Sequence, residues 1–144
     1  MDLSAGTLNR SPIDQACAVP LRLCEHGTEV CLITSMGRGR WIFPKGVVDP
    51  GETHVTTALK EAREEAGIEG EILQPALGEY GDFKWNVPLR VTVFAMSVAT
   101  AHDTWLEQGL RRRRWALVEE AHELLTEPSL REMLALALMR LGEK

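Results

Sequence analysis

No two of the three cysteines, Cys17, Cys24 and Cys31, form a Cys-x-x-Cys pair. An odd number spaced seven apart suggests neither a closed disulfide framework nor a zinc site, so they read as reduced thiols, mostly packed in strands. Nor does any window approach the roughly 20 apolar residues that span a bilayer. The polar opening MDLSAGTLNRSPID lacks the apolar stretch of a signal peptide. A cytoplasmic protein without membrane contact is expected. Base is outnumbered by acid, with 16 Lys and Arg against 21 Asp and Glu and a net charge of -5. That balance argues against duplex nucleic acid as a partner, while leaving room for a local basic patch. There is no internal repeat and no low-complexity segment. What remains is 144 residues, enough for one domain with its own core. Residues 1–13, rich in Ser, Gly, Asn and Pro, are expected as a flexible tail and residues 14–144 as the domain.

Strand signals begin after Asp14. Residues 15–24 have strand composition, with Pro20 placing them toward an edge or bulge. Residues 29–34 are apolar and rich in β-branched side chains, as in a central strand. The loop 36–40 is basic, and 41–43 is a short strand broken by Pro44. Residues 70–81 suggest strand, turn and strand, with a register that Pro75 and the glycines leave open. In 89–100, Val91, Val93, Ala95 and Ser97 alternate with Thr92, Phe94, Met96 and Val98. Apolar residues on both faces imply a sheet covered on both sides. Residues 111–118 return as a strand whose alternation sends Arg111 and Arg113 to one face and Arg112 and Arg114 to the other. At most two of these can aim at one site, and solvated charge is the competing reading. A short helix over 119–125 is followed by a second, opened by a capping box of Ser129 and Glu132 and packed through Leu130, Met133, Leu134, Ala137, Leu138 and Leu141. The fold class expected is α/β, a mixed β-sheet between helices.

Between these segments runs GVVDPGETHVTTALKEAREEAGI, residues 46–68. Thr53 offers a capping hydroxyl, Pro50 and Gly51 bend the chain ahead of it, and Gly67 accepts the left-handed conformation that ends a helix. A helix over 53–66 follows, packing through Val55, Ala58, Leu59, Ala62 and Ala66. Glu61, Glu64 and Glu65 form a stripe beside that face. Such carboxylates repel by a few tenths of a kcal/mol per pair, so something positive should compensate. Oxygen donors without His or Cys suit Mg²⁺ or Mn²⁺, which commonly bridge to substrate phosphates. A solvated acidic face, partly neutralised by Lys60 and Arg63, is the alternative.

The same stretch resembles the Nudix box: Gly, five residues, Glu, seven residues, Arg-Glu, an aliphatic residue, any residue, Glu-Glu, any residue, Gly, aliphatic. Two positions depart from it. Lys60 stands where the family has Arg, and Ala62 is small for the aliphatic position. The segment Trp41-Ile-Phe-Pro-Lys-Gly46 with Arg40 ahead of it, and the pairing of Trp-Leu-Glu at 105–107 with Arg-Arg-Trp at 113–115, are similar to the branch that hydrolyses diadenosine polyphosphates and diphosphoinositol polyphosphates.

The resemblance covers residues 14–140 and implies a Nudix-like α/β/α sandwich. It implies a pyrophosphohydrolase that cleaves the phosphoanhydride of a nucleoside diphosphate linked to a second group, with Mg²⁺ or Mn²⁺ as cofactor. Glu61, Glu64 and Glu65 match the metal-binding glutamates, and the Gly46 carbonyl is expected as a further ligand. Glu64 and Glu65 are thereby catalytic candidates. Glu52 supports the site together with Lys60, which replaces the family arginine's charge but not its planar fork of donors. The box does not fix the general base. Glu107, on a loop after the long strand, is the first candidate, with Glu79, Asp82 or a box glutamate as rivals. Substrate is expected to meet Arg38, Arg40, Lys45 and Arg90, with Trp41, Phe83 or Trp85 stacking on a base. The substrate expected is a small-molecule polyphosphate, first a diadenosine polyphosphate and second a diphosphoinositol polyphosphate. A nucleotide-sugar or oxidised-nucleotide pyrophosphohydrolase, or a non-catalytic phosphate-binding module, is the alternative. A monomer or homodimer is expected.

Overall fold

The computed structural model describes residues 11–142. The expected tail therefore lies outside the described residues as far as residue 10. Strand β1 (Ile13–Cys24) forms the middle of a seven-stranded mixed sheet. It runs parallel to β6 (Val87–Ala101) from Ile13 to Leu21. Its other edge pairs antiparallel first with β4 (Lys45–Val47) and then with β2 (Gly27–Thr34). β3 (Trp41–Ile42) and β7 (Arg113–Leu117) both pair with β2. β5 (Ile68–Lys84) lies outside β6, antiparallel to it.

Pro20 was expected at an edge or bulge, and the structure places it in the central strand. Pairing with β4 ends at Cys17 and pairing with β2 begins at Leu21. The Ala18 N–H points to that edge and reaches the Pro44 carbonyl at 3.1 Å. Two residues on, Pro20 faces the same way, where the partner changes and no N–H is required. The segment 70–81 belongs to one long strand, with register shifts at Glu69/Gly70 and Leu73/Gly78. The β5–β6 hairpin closes through Trp85 and Asn86, whose φ values of 55 and 58 give the two left-handed central residues of a type I′ turn.

Alternation along the strands builds a core on each side of the sheet. Cys17, Val19 and Leu21 join Val91, Val93 and Ala95 beneath the two C-terminal helices. Ala16, Ala18, Phe94 and Met96 face the other way, onto α1 (His54–Ala66) through Ala58, Ala62 and Ala66. Both faces of β6 are thus covered, as its pattern implied, and the α/β sandwich with a mixed sheet is the fold. Of the remaining helices, α2 spans Val118–Leu124 and α3 spans Pro128–Gly142. The capping box expected at Ser129 and Glu132 does not open α3. Pro128 already occupies its first position, where a missing N–H costs nothing, and the Leu130 and Arg131 amides close on the Glu127 carbonyl. Cys17 and Cys31 are buried free thiols, and burial pushes both up to about 12. Cys24 is exposed. Among the described residues no helix is long and apolar enough to cross a membrane.

Candidate functional site

Helix α1 is fixed at both ends by its own sequence. The Thr53 hydroxyl accepts from the Thr56 amide, and the Thr56 hydroxyl accepts from the Thr53 amide, each at 3.0 Å. At the other end Gly67, with φ 68 and ψ 33, donates to the carbonyls of Ala62 and Arg63. The expected stripe packs on the sheet, with Val55 and Leu59 at its margin. Glu65 and Thr57 are buried as well.

That burial governs the acids. Glu65 is only 6% exposed, and the desolvation pushes its carboxyl up to about 8, against the pull of Arg111 and with a further push from Glu61. Its Oε1 accepts from the Lys45 amide at 3.1 Å and its Oε2 from Arg111 Nη2 at 3.3 Å. Half-buried Glu61 is also raised, mainly by burial and further by the charges of Glu64 and Glu107, while its hydrogen bond to Glu65 opposes the rise. Two neighbouring buried carboxyls resist ionising together unless a cation joins them. Behind them, Gly46 leaves room for the acid: a Cβ there would lie 2.3 Å from Glu61 Cδ and would force that carboxylate to move.

Among the described residues no three His, Cys, Asp or Glu side chains enclose a ready-made ion cage. Two carboxylates do converge with the glycine strand beside them. That donor set fits Mg²⁺ or Mn²⁺, since Mg²⁺ is usually held by one or two carboxylates plus substrate phosphates. Glu64 stands apart from the pair, lining a shallow groove with Arg63, His102 and Trp105. Its carbonyl accepts from the Glu107 amide at 3.0 Å.

Glu52 has no vacant role. Its Oε2 accepts from Lys60 Nζ at 2.7 Å, and its Oε1 accepts from the Thr57 hydroxyl and the Asp49 amide. The hydrogen bond from Lys60 is the main reason its carboxyl lies below the usual range. Lys60 lies 3.6 Å from Asp49 and 3.8 Å from Glu61 as well, so its charge serves the loop before the helix.

Two cavities adjoin here and share Lys45, Lys84, Ser35, Met36 and Ile42. One, of about 360 Å³, holds Glu61, Glu65, Gly46, Arg111 and Trp85. The other, of about 270 Å³, is lined by Arg38, Arg40, Asp82 and Phe83. At their junction Lys45 Nζ contacts Gln15 Oε1 at 2.7 Å and lies 3.7 Å from Asp82. Phe83 and Trp85 are 61% and 65% exposed, which leaves their rings at the rims.

Other expected residues fall elsewhere. Arg90 is paired to Asp14 at 2.9 Å and lines neither cavity. Trp41 also lines neither, because its ring lies beneath Arg112 at 5.2 Å and Arg114 at 6.0 Å. Glu79 is exposed on β5, and Asp82 faces Lys45 rather than the acids. Glu107 lines neither cavity, but Arg111 bridges it to Glu65 and its charge bears on both Glu61 and Glu65.

The four arginines divide as alternation required. Arg112 and Arg114 are exposed, and Arg114 pairs with Glu120. Arg113 donates to the Ala66 carbonyl at the end of α1 and lies 4.0 Å from the Trp105 ring. That ring packs on Gly67, and its Nε1 donates to the Glu65 carbonyl. Arg111, which sequence reasoning grouped with the other three arginines without singling it out, lines the acidic cavity, and so does Lys84 on the hairpin, which sequence reasoning did not name. The signal was present in the shared face of Arg111 and Arg113, but its partners were not.

Comparison with known proteins agrees with this architecture. Residues 15–137 match the NUDIX domain family model. Nudix hydrolase 4 of Arabidopsis thaliana is 32% identical over 74% of this chain and 52% of its own length. The asymmetrical bis(5'-nucleosyl)-tetraphosphatase of Sus scrofa is 35% identical over 65% of this chain and 66% of its own. A crystal structure of a C. elegans Ap4A hydrolase superposes with a TM-score of 0.77 at 22% identity, covering 91% of this chain and 99% of that one, a likeness of fold. The chain spans about half the length of several plant relatives it matches. With the family model matched over nearly all of the described residues and the box helix carrying the paired acids, the chain belongs to the Nudix family.

Proposed function

We propose that this domain is a metal-dependent pyrophosphohydrolase of dinucleoside polyphosphates, with a diadenosine polyphosphate as its first substrate. The observation that carries this reading is the pair of adjoining cavities. One presents Glu61 and Glu65, the other presents Arg38, Arg40 and Phe83, and Lys45 and Lys84 belong to both. A polyphosphate lying across the junction places one anhydride beside the acids and its remaining charge against the bases.

Glu61 and Glu65, with the Gly46 carbonyl, are the groups that would hold Mg²⁺ or Mn²⁺, and Glu64 would join them once its side chain turns from the adjoining groove. When bound, such an ion neutralises phosphate charge and draws electrons from the phosphorus under attack. Lys45 and Lys84 hold the phosphate chain in line. Glu107 accepts the proton of the attacking water as the new P–O bond forms and the bridging P–O bond breaks, and the leaving phosphate departs with the bridging oxygen. Glu52 and Lys60 keep the loop before α1 in place.

The activities for which relatives are named support this reading, among them the asymmetrical tetraphosphatase. A diphosphoinositol polyphosphate fits the basic cavity equally well by charge. The exposed rings of Phe83 and Trp85 favour a nucleobase over a polar inositol ring. We place the activity in the cytoplasm, in a monomer or homodimer. The test is phosphate release with Mg²⁺ or Mn²⁺ across a panel of dinucleoside polyphosphates, inositol pyrophosphates, nucleotide sugars and oxidised nucleotides. Preference for a dinucleoside polyphosphate supports the proposal. Preference for a sugar nucleotide overturns the substrate, and failure to cleave any member overturns the hydrolase reading.

A further inference from the structure

We propose that Arg111 is the positioning residue for the two working carboxylates, Glu65 and Glu107, and that it supplies from outside the box helix the forked geometry that Lys60 lacks. The proposal rests on the hydrolase reading above. Three edges of one guanidinium are used. Nη2 lies 3.3 Å from Glu65 Oε2, Nε donates to Glu107 Oε1 at 2.8 Å, and Nη1 donates to the Thr34 carbonyl at 3.1 Å. These partners belong to α1, to the loop after β6 and to the end of β2. Because a guanidinium is planar and its donors are fixed relative to one another, binding all three sets the two carboxylates in one frame. A lysine ammonium on a freely turning stem carries the charge without that constraint.

The surroundings make the frame rigid. The Arg111 side chain is only 12% exposed. Its loop is tied to the end of α1 by the Glu107 amide on the Glu64 carbonyl and by Trp105 Nε1 on the Glu65 carbonyl. The Arg111 amide returns to the Glu107 carbonyl at 3.2 Å. No neighbouring arginine stands in for it, since Arg113 is bonded to the Ala66 carbonyl and Arg112 and Arg114 face Trp41. Lys60 meanwhile commits its closest contact to Glu52. A lysine suffices in the box because the fork is delivered from the loop ahead of β7.

Three variants and two measurements test this. Arg111→Lys keeps the charge and removes the fork, Arg111→Met removes both, and Arg114→Lys is the control on the opposite face. Calorimetric titration with Mn²⁺ alone reads the carboxylate frame without turnover. Steady-state kinetics on a dinucleoside polyphosphate separate kcat from KM. For Arg111→Lys we expect Mn²⁺ affinity and kcat each to fall about 10-fold or more, with KM within about twofold, as for loss of a group that orients metal ligands. Arg111→Met should lose at least as much, and Arg114→Lys should match the wild type. Wild-type kcat and Mn²⁺ affinity in Arg111→Lys would overturn the proposal. So would a raised KM at unchanged kcat, which marks a phosphate contact instead. A wild type that binds Mn²⁺ but cleaves no anhydride sinks the hydrolase reading alone, and the Mn²⁺ comparison then still decides the role of Arg111.

Discussion

Lys60 Nζ lies 2.7 Å from Glu52 Oε2, which makes the box lysine a partner of the carboxylate that precedes its helix. The other oxygen of Glu52 is already filled by Thr57 and Asp49. A guanidinium at this position would find no second free acceptor on Glu52. Lys60→Arg is therefore expected to change kcat by less than about twofold, because the carboxylates within its reach, Glu52, Asp49 and Glu61, are those whose charge Lys60 already serves. Lys60→Met should lower turnover and Tm together, since it leaves Glu52, Asp49 and Glu61 without their shared cation. Steady-state kinetics and a thermal melt on the three proteins check this, and a large gain in Lys60→Arg would refute it.

The acids make a second test, in metal-free buffer. Burial pushes the Glu65 carboxyl up to about 8 in the fold, whereas in the unfolded chain it returns to the ordinary carboxylate range. The folded state thus holds a proton that the unfolded chain releases, so this group's contribution is full below the unfolded value and is lost as pH rises toward 8. Tm should fall by several degrees from about pH 5 to about pH 8, and Glu65→Gln should flatten that slope. In the same variant, turnover should fall at least about 100-fold although the fold persists. Glu64→Gln should leave the metal-free melting profile nearly unchanged while lowering turnover about 10-fold or more. A melting profile equally steep in wild type and Glu65→Gln would show that another group is responsible.

Substrate charge is a third. Lys45 stands between the cavities and Arg40 lines the basic one. Lys45→Ala and Arg40→Ala should raise KM for a dinucleoside tetraphosphate several-fold, about 1 kcal/mol of phosphate contact each, and should affect a nucleoside diphosphate sugar less. Equal effects on both substrates would remove the assignment of the basic cavity to the distal phosphates.

Which of these features were legible beforehand follows from their range along the chain. The ends of α1 were legible because its caps, Thr53 with Thr56 and Gly67 with Ala62 and Arg63, lie within a turn or so of each other. The two faces of β6 and the division of the four arginines were legible for the same reason, since alternation needs no partner. Pro20 misled because its tolerance depends on where two other strands begin and end. Arg90 looked like a phosphate ligand until it met Asp14, 76 positions away. Arg111 reaches acceptors 46 and 77 positions away, and no local pattern encodes those distances. Charge types were readable, but their pairing was decided by the assembled sheet.

The hairpin tip sets two demands against each other at one residue. Trp85 holds φ 55, a conformation that Asn and Gly take with ease and that costs a bulky side chain on the order of 1 kcal/mol. Its ring is 65% exposed, with Lys84 Nζ 4.7 Å from its centre. Local turn chemistry would select Asn or Gly here, whereas a ligand-facing rim selects an indole. Trp85→Asn should accordingly melt higher and bind dinucleotide more weakly, so that screening variants for heat resistance would erode substrate capture at this position.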